Sequence, residues 1–410
     1  MSKSVRIILI LLLSLGVLAC AFGGGVAVGW GIPRSVTRQI PLPMPADTGT
    51  TDTGTPTGLQ DLFAPFWQAW DIVHAQYVDQ PLDDLTLMQG AIRGMMDSLG
   101  DPHSSYMDPM EYETANAPLE GSYEGIGAWV DTSGDWLTII SPIEGSPAEA
   151  AGLKPDDRIV GVDGEDLTGM DPELVRRRVL GPAGSTVILT IAREGEAETF
   201  DVTLQRATVI LKSVNYEMLD NQIAYIELTT FGDDTTKELK SALTDLMAQN
   251  PQGLILDLRN NGGGYLVTAI EVVSQFIGEN QVVMYEQFGD GSRQTYNALD
   301  GGLALDIPMV VLVNEGSASA SEITAGALQD YGRAQLVGVT TYGKGSVQTW
   351  NELDDNQGAV RVTIARWLTP KERLIHEVGL TPDVVVEMTD EDVEAGRDPQ
   401  LEKAIELLLK

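Results

Sequence analysis

The chain has 410 residues, 60 of them acidic and 26 basic, for a formal net charge of −34. The excess of acid lies beyond residue 58, and so negative a surface repels phosphate backbones, which argues against nucleic acid as a partner. An apolar content of 43% with 21% charged residues suits a globular chain that builds its own core; one cysteine (Cys20) and three histidines (His74, His103, His376) leave no material for a disulfide framework and little for a metal cluster.

Lys3 and Arg6 precede an uncharged run over residues 7–33 that opens Ile7-Ile-Leu-Ile-Leu-Leu-Leu. About 20 apolar residues cross a bilayer, and flanking cations stay on the cytoplasmic side. Residues 1–33 therefore read as a membrane anchor that leaves the rest of the chain outside the cytoplasm. A cleaved secretory signal, or lipid attachment at Cys20, gives the same side of the membrane. Residues 34–58 follow as a flexible linker, dominated from Pro41 onward by Pro, Gly and Thr.

Residues 59–118 predict helices. Leu62, Phe66, Ala69, Trp70 and Val73 recur at helical spacing, and a second amphipathic run ends near Leu99, where Gly100-Asp101-Pro102 stops it. Residues 119–208 change to short β-rich runs (137–140, 186–191) between Gly and Pro turns. Residues 209–390 alternate strands (223–226, 254–258, 309–313) with helices (235–249, 266–277), the order of an α/β layer structure with crossover helices. Residues 391–410 end in a helix that begins at Pro399.

Three glycine-marked loops follow predicted strands between residues 250 and 350. The first, Asp257-Leu-Arg-Asn-Asn-Gly262-Gly263-Gly264, joins a strand to a helix. It suits either a plain tight turn or a cradle of N–H groups for an oxyanion or phosphate. The second, Asn314-Glu-Gly-Ser-Ala-Ser319-Ala-Ser-Glu322, runs into a helix. Ser319 and Glu322 have capping-box spacing, which makes Ser319 an N-cap. Strand, sharp turn, serine and helix also present a nucleophilic hydroxyl, with the Ala320 N–H facing the same spot.

The third loop is Thr341-Tyr-Gly343-Lys344-Gly345-Ser-Val-Gln348. Residues 338–345 fall one short of a phosphate-binding P-loop, and Gly345 stands where magnesium needs Ser or Thr, which argues against a nucleotide site. Glycines on both sides of Lys344 let neighbouring backbone close over the amine. A desolvated amine has a depressed pKa and, once neutral, accepts a proton from a serine. In an extended segment Gln348 shares a side with Lys344, where its amide orients the amine without adding charge.

With these residues in view the chain resembles the carboxy-terminal processing peptidases, also called tail-specific proteases. The resemblance is carried by Val313-Asn-Glu-Gly-Ser-Ala-Ser-Ala-Ser-Glu-Ile, Ala325-Gly-Ala-Leu-Gln-Asp and Gly343-Lys-Gly-Ser-Val-Gln, with Gly100-Asp-Pro-His-Ser-Ser-Tyr-Met and Gly121-Ser-Tyr-Glu-Gly-Ile-Gly-Ala upstream. It implies a serine endopeptidase of Ser–Lys type that works through an acyl-enzyme and needs no cofactor. It implies a crotonase-like α/β core over residues 209–390, preceded by a PDZ domain over residues 119–208. Ser319 becomes the nucleophile, Lys344 the general base and Gln348 its orienting partner. The Ala320 amide, with that of Gly262 or Gly263, becomes the oxyanion hole. In the PDZ region Gly125-Ile126-Gly127-Ala128 is a glycine loop opening a strand, able to offer N–H groups to a terminal carboxylate while the peptide adds as an extra strand. Protein tails are then the partners, the bacterial cell envelope is the location, and self-association is open to the chain. The sequence departs from relatives at Leu180, a position often basic in them, and over residues 371–379, where they are often Gly-rich.

Other chemistries fit less well. A Ser–His–Asp hydrolase would have to use His376, since His74 sits on a predicted helix and His103 in a Pro-containing turn. A PDZ scaffold with a dead site is disfavoured by Ser319, Lys344 and Gln348 occurring together. A metalloenzyme is disfavoured by the absence of H-E-x-x-H or similar spacing.

Overall fold

The computed structural model describes residues 59–410; the predicted anchor and the predicted linker lie outside the described residues. The chain divides into two units, Met1–Leu82 and Asp83–Lys410. In the first, helix Gln60–Gln76 packs Phe66, Trp67 and Trp70 against one another, and His74 stacks on Trp70 with ring centroids 4.8 Å apart. No helix among the described residues is long and apolar enough to cross a membrane.

The second unit is built around a six-stranded sheet. Its spatial order is Val214–Leu219, Ile223–Leu228, Gly253–Asp257, Met309–Val313, Gln335–Gly338, Val384–Val385, antiparallel at the first pair and parallel thereafter. Every residue of Gly253–Asp257 and Met309–Val313 is buried, which is why these central strands read as unbroken apolar runs. Helices Thr235–Met247 and Leu266–Val273 lie in the connections, and helix Pro399–Leu408 packs on Ile255, Val310, Leu312 and Val337. Arg259 ties that last helix down, bridging Asp257 at 2.6 Å and Asp398 at 2.9 Å.

A second, antiparallel sheet joins Ser105–Met107, Ala359–Leu368, Val282–Phe288 and Arg293–Asn297, with Ser346–Glu352 paired to Ala359–Leu368. Ser105–Met107 lies between helices Asp84–Asp97 and Pro109–Glu120, where the sequence predicts helices alone. Its conformation is imposed from far along the chain: Tyr106 pairs with Val360, and its hydroxyl donates to Gln357 O at 2.7 Å.

The PDZ domain is a sheet of Ala128–Asp131, Leu137–Pro142, Arg158–Val162, Thr186–Ala192 and Phe200–Gln205, with Glu165–Asp166 paired to Arg158–Val162. Alternation along Thr186–Ala192 turns Val187, Leu189 and Ile191 inward, and helix Pro172–Val179 sets Val175 and Val179 on the same core. The chain passes in through Ser122–Gly125 and out through Ala207–Ile210, which pair antiparallel. Arg177 of the PDZ helix reaches Asp108, the N-cap of helix Pro109–Glu120, at 3.3 Å.

Candidate active site

Strand Met309–Val313 delivers the chain into a sharp turn, and helix Ala320–Asp330 leaves it. Ser319, half-buried at the junction, has φ 56° and ψ −115°. A side chain in that left-handed region costs about 1–3 kcal/mol and persists only where its surroundings enforce it. Here the enforcement is visible. The Asn314 side-chain oxygen accepts from Asn260 N at 2.8 Å and Gly316 N at 3.1 Å, and Ser317 Oγ donates to Leu258 O at 2.7 Å. Asn261 O accepts from Ala318 N at 3.0 Å and Ser321 Oγ at 2.8 Å. The glycine-rich loop is thus stitched to the serine loop along its length.

Gly263 lies directly on the Ser319–Ala320 peptide. Its φ is +103°, and a Cβ there would come within 2.8 Å of Ala320 N and of Ser319 Cβ, so no other residue fits. Its N–H donates to Asn261 Oδ1 at 2.9 Å, which commits that amide within the loop. Gly262 is exposed, and its Cβ direction meets nothing within 4 Å. Ala320 is the first helical residue, so its N–H is one of the four without an intrahelical acceptor.

The lysine loop is held by a residue that sequence spacing marks only as a cap. The Glu322 side chain is fully buried. Its Oε2 accepts from Ser319 N at 3.0 Å and Lys344 N at 2.9 Å; its Oε1 accepts from Thr341 Oγ1 at 2.5 Å and Gly343 N at 2.7 Å. One carboxylate therefore fixes the serine and lysine backbones relative to each other. Gly343 and Gly345 admit the backbone of residues 376–379: a Cβ on Gly345 would meet His376 N at 2.6 Å, and one on Gly343 would meet Gly379 N at 2.9 Å. The Trp367 indole donates to Lys344 O at 3.0 Å.

Under this cover the Lys344 amine is pushed below its ordinary value. Burial is the largest cause and the Arg361 guanidinium the next, while Glu322 and Asp101 act in the opposite sense. Arg361 is itself half-buried, anchored by its Nε to His103 O at 2.8 Å and stacked over Trp350 at 5.2 Å. No local pattern in the sequence marks it. Gln348 donates its amide nitrogen to Ser346 Oγ at 2.9 Å and Thr363 Oγ1 at 3.1 Å, which fixes the orientation of the side chain.

Ser319, Lys344, Gln348, Gly262 and Gly263 line one cavity of about 390 Å³, together with Trp350 and Arg361. No hydrogen bond joins the Ser319 hydroxyl to the Lys344 amine in this state; such contacts often tighten only around substrate. No histidine lines this cavity. His103 and His376 line another, of about 1030 Å³, with ring centroids 6.4 Å apart. Helix Pro109–Glu120 contributes Ala115, Pro118 and Leu119 to the serine cavity, and Met110, Glu113, Thr114, Ala117 and Pro118 to a third cavity of about 600 Å³ in the PDZ domain. Ile126 and Ala128 of the predicted peptide loop line that third cavity, facing Arg176, Arg177 and Leu180. Gly125 ends the preceding strand, and Gly127 O accepts from Ile143 N at 2.9 Å and Ser146 Oγ at 2.8 Å.

An α/β core that presents a serine on a strained strand-to-helix turn, with a PDZ domain set before it, is the architecture of a serine-type peptidase. Residues 222–386 match peptidase family S41, residues 138–193 match the PDZ domain, and residues 45–111 match the N-terminal domain of the activating protease CtpB. The carboxy-terminal processing protease CtpA of Bacillus subtilis is 39% identical over 323 residues, 79% of this chain and 68% of its own. The carboxy-terminal-processing protease of Bartonella bacilliformis is 37% identical over 342 residues, 82% of this chain and 78% of its own. Among solved structures, an S41 protease from Bacteroides fragilis shares the fold, with TM-score 0.54 at 18% identity over 81% of this chain and 91% of that one. The chain belongs to the carboxy-terminal processing protease family.

Proposed function

We propose that the chain is a Ser–Lys endopeptidase that takes protein substrates by their C-terminal tails and cleaves them through an acyl-enzyme. The observation that carries this reading is one cavity holding Ser319 and a desolvated Lys344, with no imidazole on its walls. Neutral Lys344 takes the Ser319 proton as the hydroxyl oxygen attacks the scissile carbonyl. The Ala320 and Gly262 N–H groups hold the oxyanion, since the Gly263 amide is already committed to Asn261. Lys344 returns the proton to the departing amine, and water then hydrolyses the acyl-serine with Lys344 again as base. Gln348, fixed through its nitrogen, offers its oxygen to the lysine amine. The PDZ domain holds the tail beside edge strand Ala128–Asp131, its end on the loop Gly125-Ile126-Gly127-Ala128. The uncharged run over residues 7–33 supports a reading in which this activity works outside the cytoplasm, tethered to the envelope membrane.

The test incubates the full-length protein and its Ser319→Ala and Lys344→Met variants with an unfolded protein, and locates cuts by mass spectrometry. A serine-directed acylating reagent is expected to add one label to the wild type, on the peptide that contains Ser319. Unchanged proteolysis by either variant would rule out the Ser–Lys assignment.

A further inference from the structure

The serine cavity holds a charge that the cleavage steps do not use. The chain has 60 acidic side chains, yet no Asp or Glu lines this cavity. Its basic residues are Lys344 and Arg361. The lysine is pushed toward its neutral form, whereas a guanidinium stays protonated in proteins. Arg361 therefore keeps the cavity positive within a chain of formal net charge −34.

The side chain is a fork fixed at its base and open at its tips. Strand register sets Arg361 opposite Trp350, and cross-strand partners share a face, so the guanidinium lies over the indole. Its Nε donates to His103 O, while its two terminal nitrogens donate to no protein group among the described residues. No carboxylate among the described residues forms an ion pair with it. Asp101 acts on it through space, but the Asp101 oxygens are taken by Ser104 Oγ at 2.7 Å and His103 N at 3.1 Å. A half-buried cation without a counter-ion has lost part of its hydration with nothing in its place. Two parallel N–H···O bonds to one carboxylate restore what is missing, and the stacked, anchored fork is already oriented to make them.

We propose that Arg361 is a carboxylate-recognition residue: its terminal nitrogens take both oxygens of a substrate carboxylate that enters the serine cavity. This rests on cleavage in that cavity as proposed above. Two parts of a substrate carry the group. One is an Asp or Glu side chain near the scissile bond, which makes Arg361 a determinant of where the chain is cut. The other is the new chain end formed when water opens the acyl-serine, which makes Arg361 the grip that holds back the N-terminal product. A glutamine side chain or an amidated end offers one neutral oxygen, whereas a carboxylate accepts charge-assisted hydrogen bonds roughly twice as strong.

The test uses the full-length protein and a peptide that it cuts. Each position around the cut is replaced in turn by Glu and by Gln, and kcat/KM is measured for every pair. The N-terminal product is then added as an inhibitor, once with its free carboxylate and once as the amide. The wild type is expected to favour the acid about tenfold or more in one of these comparisons, the scale of hydrogen bonds to a charged group. Preference for Glu at one position assigns the contact to a side chain; preference for the acid product assigns it to the new end. Arg361→Met and Arg361→Gln are expected to bring the ratio close to one, and Arg361→Lys, which keeps the charge without the fork, to retain part of it. A ratio taken within one enzyme cancels changes at Lys344 or in the PDZ domain that both peptides share. A wild type with neither preference, or a preference that survives in a folded Met or Gln variant, overturns the proposal and leaves Ser–Lys cleavage standing. Cutting that persists in Ser319→Ala overturns the Ser–Lys reading, and the role of Arg361 with it.

Discussion

Glu322→Gln keeps the shape of the side chain and removes the feature that makes it useful. The carboxylate accepts four hydrogen bonds, two at each oxygen, from Ser319, Lys344, Thr341 and Gly343. A glutamine has one carbonyl oxygen, and its amide nitrogen cannot accept. Whichever way the amide turns, two buried donors lose their partner. Hydrogen bonds to a charged group contribute about 1.5–3 kcal/mol each, so the loss is on the order of 3–6 kcal/mol. Part of that lowers stability, and part releases the lysine loop from the serine loop. Misplacing a catalytic group by about 1 Å costs roughly 10²-fold in rate. The expected result is a fall in kcat of that order, with KM nearly unchanged and a lower melting temperature. Steady-state cleavage of a quenched fluorescent peptide, at a temperature where melting curves show the variant folded, makes the measurement. A folded Gln variant with wild-type kcat would refute the claim that this carboxylate places the two loops.

The remaining predictions concern the same cavity. Burial and then Arg361 lower the Lys344 amine; with Lys344 as the proposed base, which must be neutral to act, kcat/KM is expected to rise with pH through that lowered value. Arg361→Met removes one of the two causes and is expected to move the rising limb to higher pH; a limb that stays in place or moves down assigns the shift to burial alone. Gly263→Ala forces a Cβ to within 2.8 Å of the Ser319–Ala320 peptide, at a φ that L-residues rarely adopt, and is expected to abolish cleavage. Gly262→Ala, whose Cβ meets open space, is the matched control and is expected to retain most of the activity. Equal losses in the pair would count against the close-approach argument.

What the sequence shows and what it hides follow from range. Strands 254–258 and 309–313 are legible because burial on both faces leaves an apolar run that needs no partner to recognise. The loops around Ser319 and Lys344 are legible because glycine and serine cluster where backbone must bend or approach closely. Ser105–Met107 is not, since its strand state comes from pairing with residues 359–361, and nothing within its own three residues announces a sheet. Hairpin Val282–Asn297 hides for a related reason: its strands mix buried and exposed positions without clean alternation, and a register shift interrupts the pairing after Val282. Within the site, S-x-x-E spacing places Glu322 beside Ser319 along one helix turn. Its other contacts, to Thr341, Gly343 and Lys344, close across the fold and leave no periodic trace. Gly263 is legible as a glycine that something requires, yet only the coordinates show that its amide serves Asn261 and its missing side chain serves the serine peptide.

Pro118 borders two chambers at once, the one around the serine and the one in the PDZ domain. A residue shared by two walls has no private side. On the function proposed above, a change in helix Pro109–Glu120 selected to admit a new kind of ending also reshapes the room where the bond is cut. The same reading makes grip and cutting rate coupled traits, which lineages of this enzyme retune together.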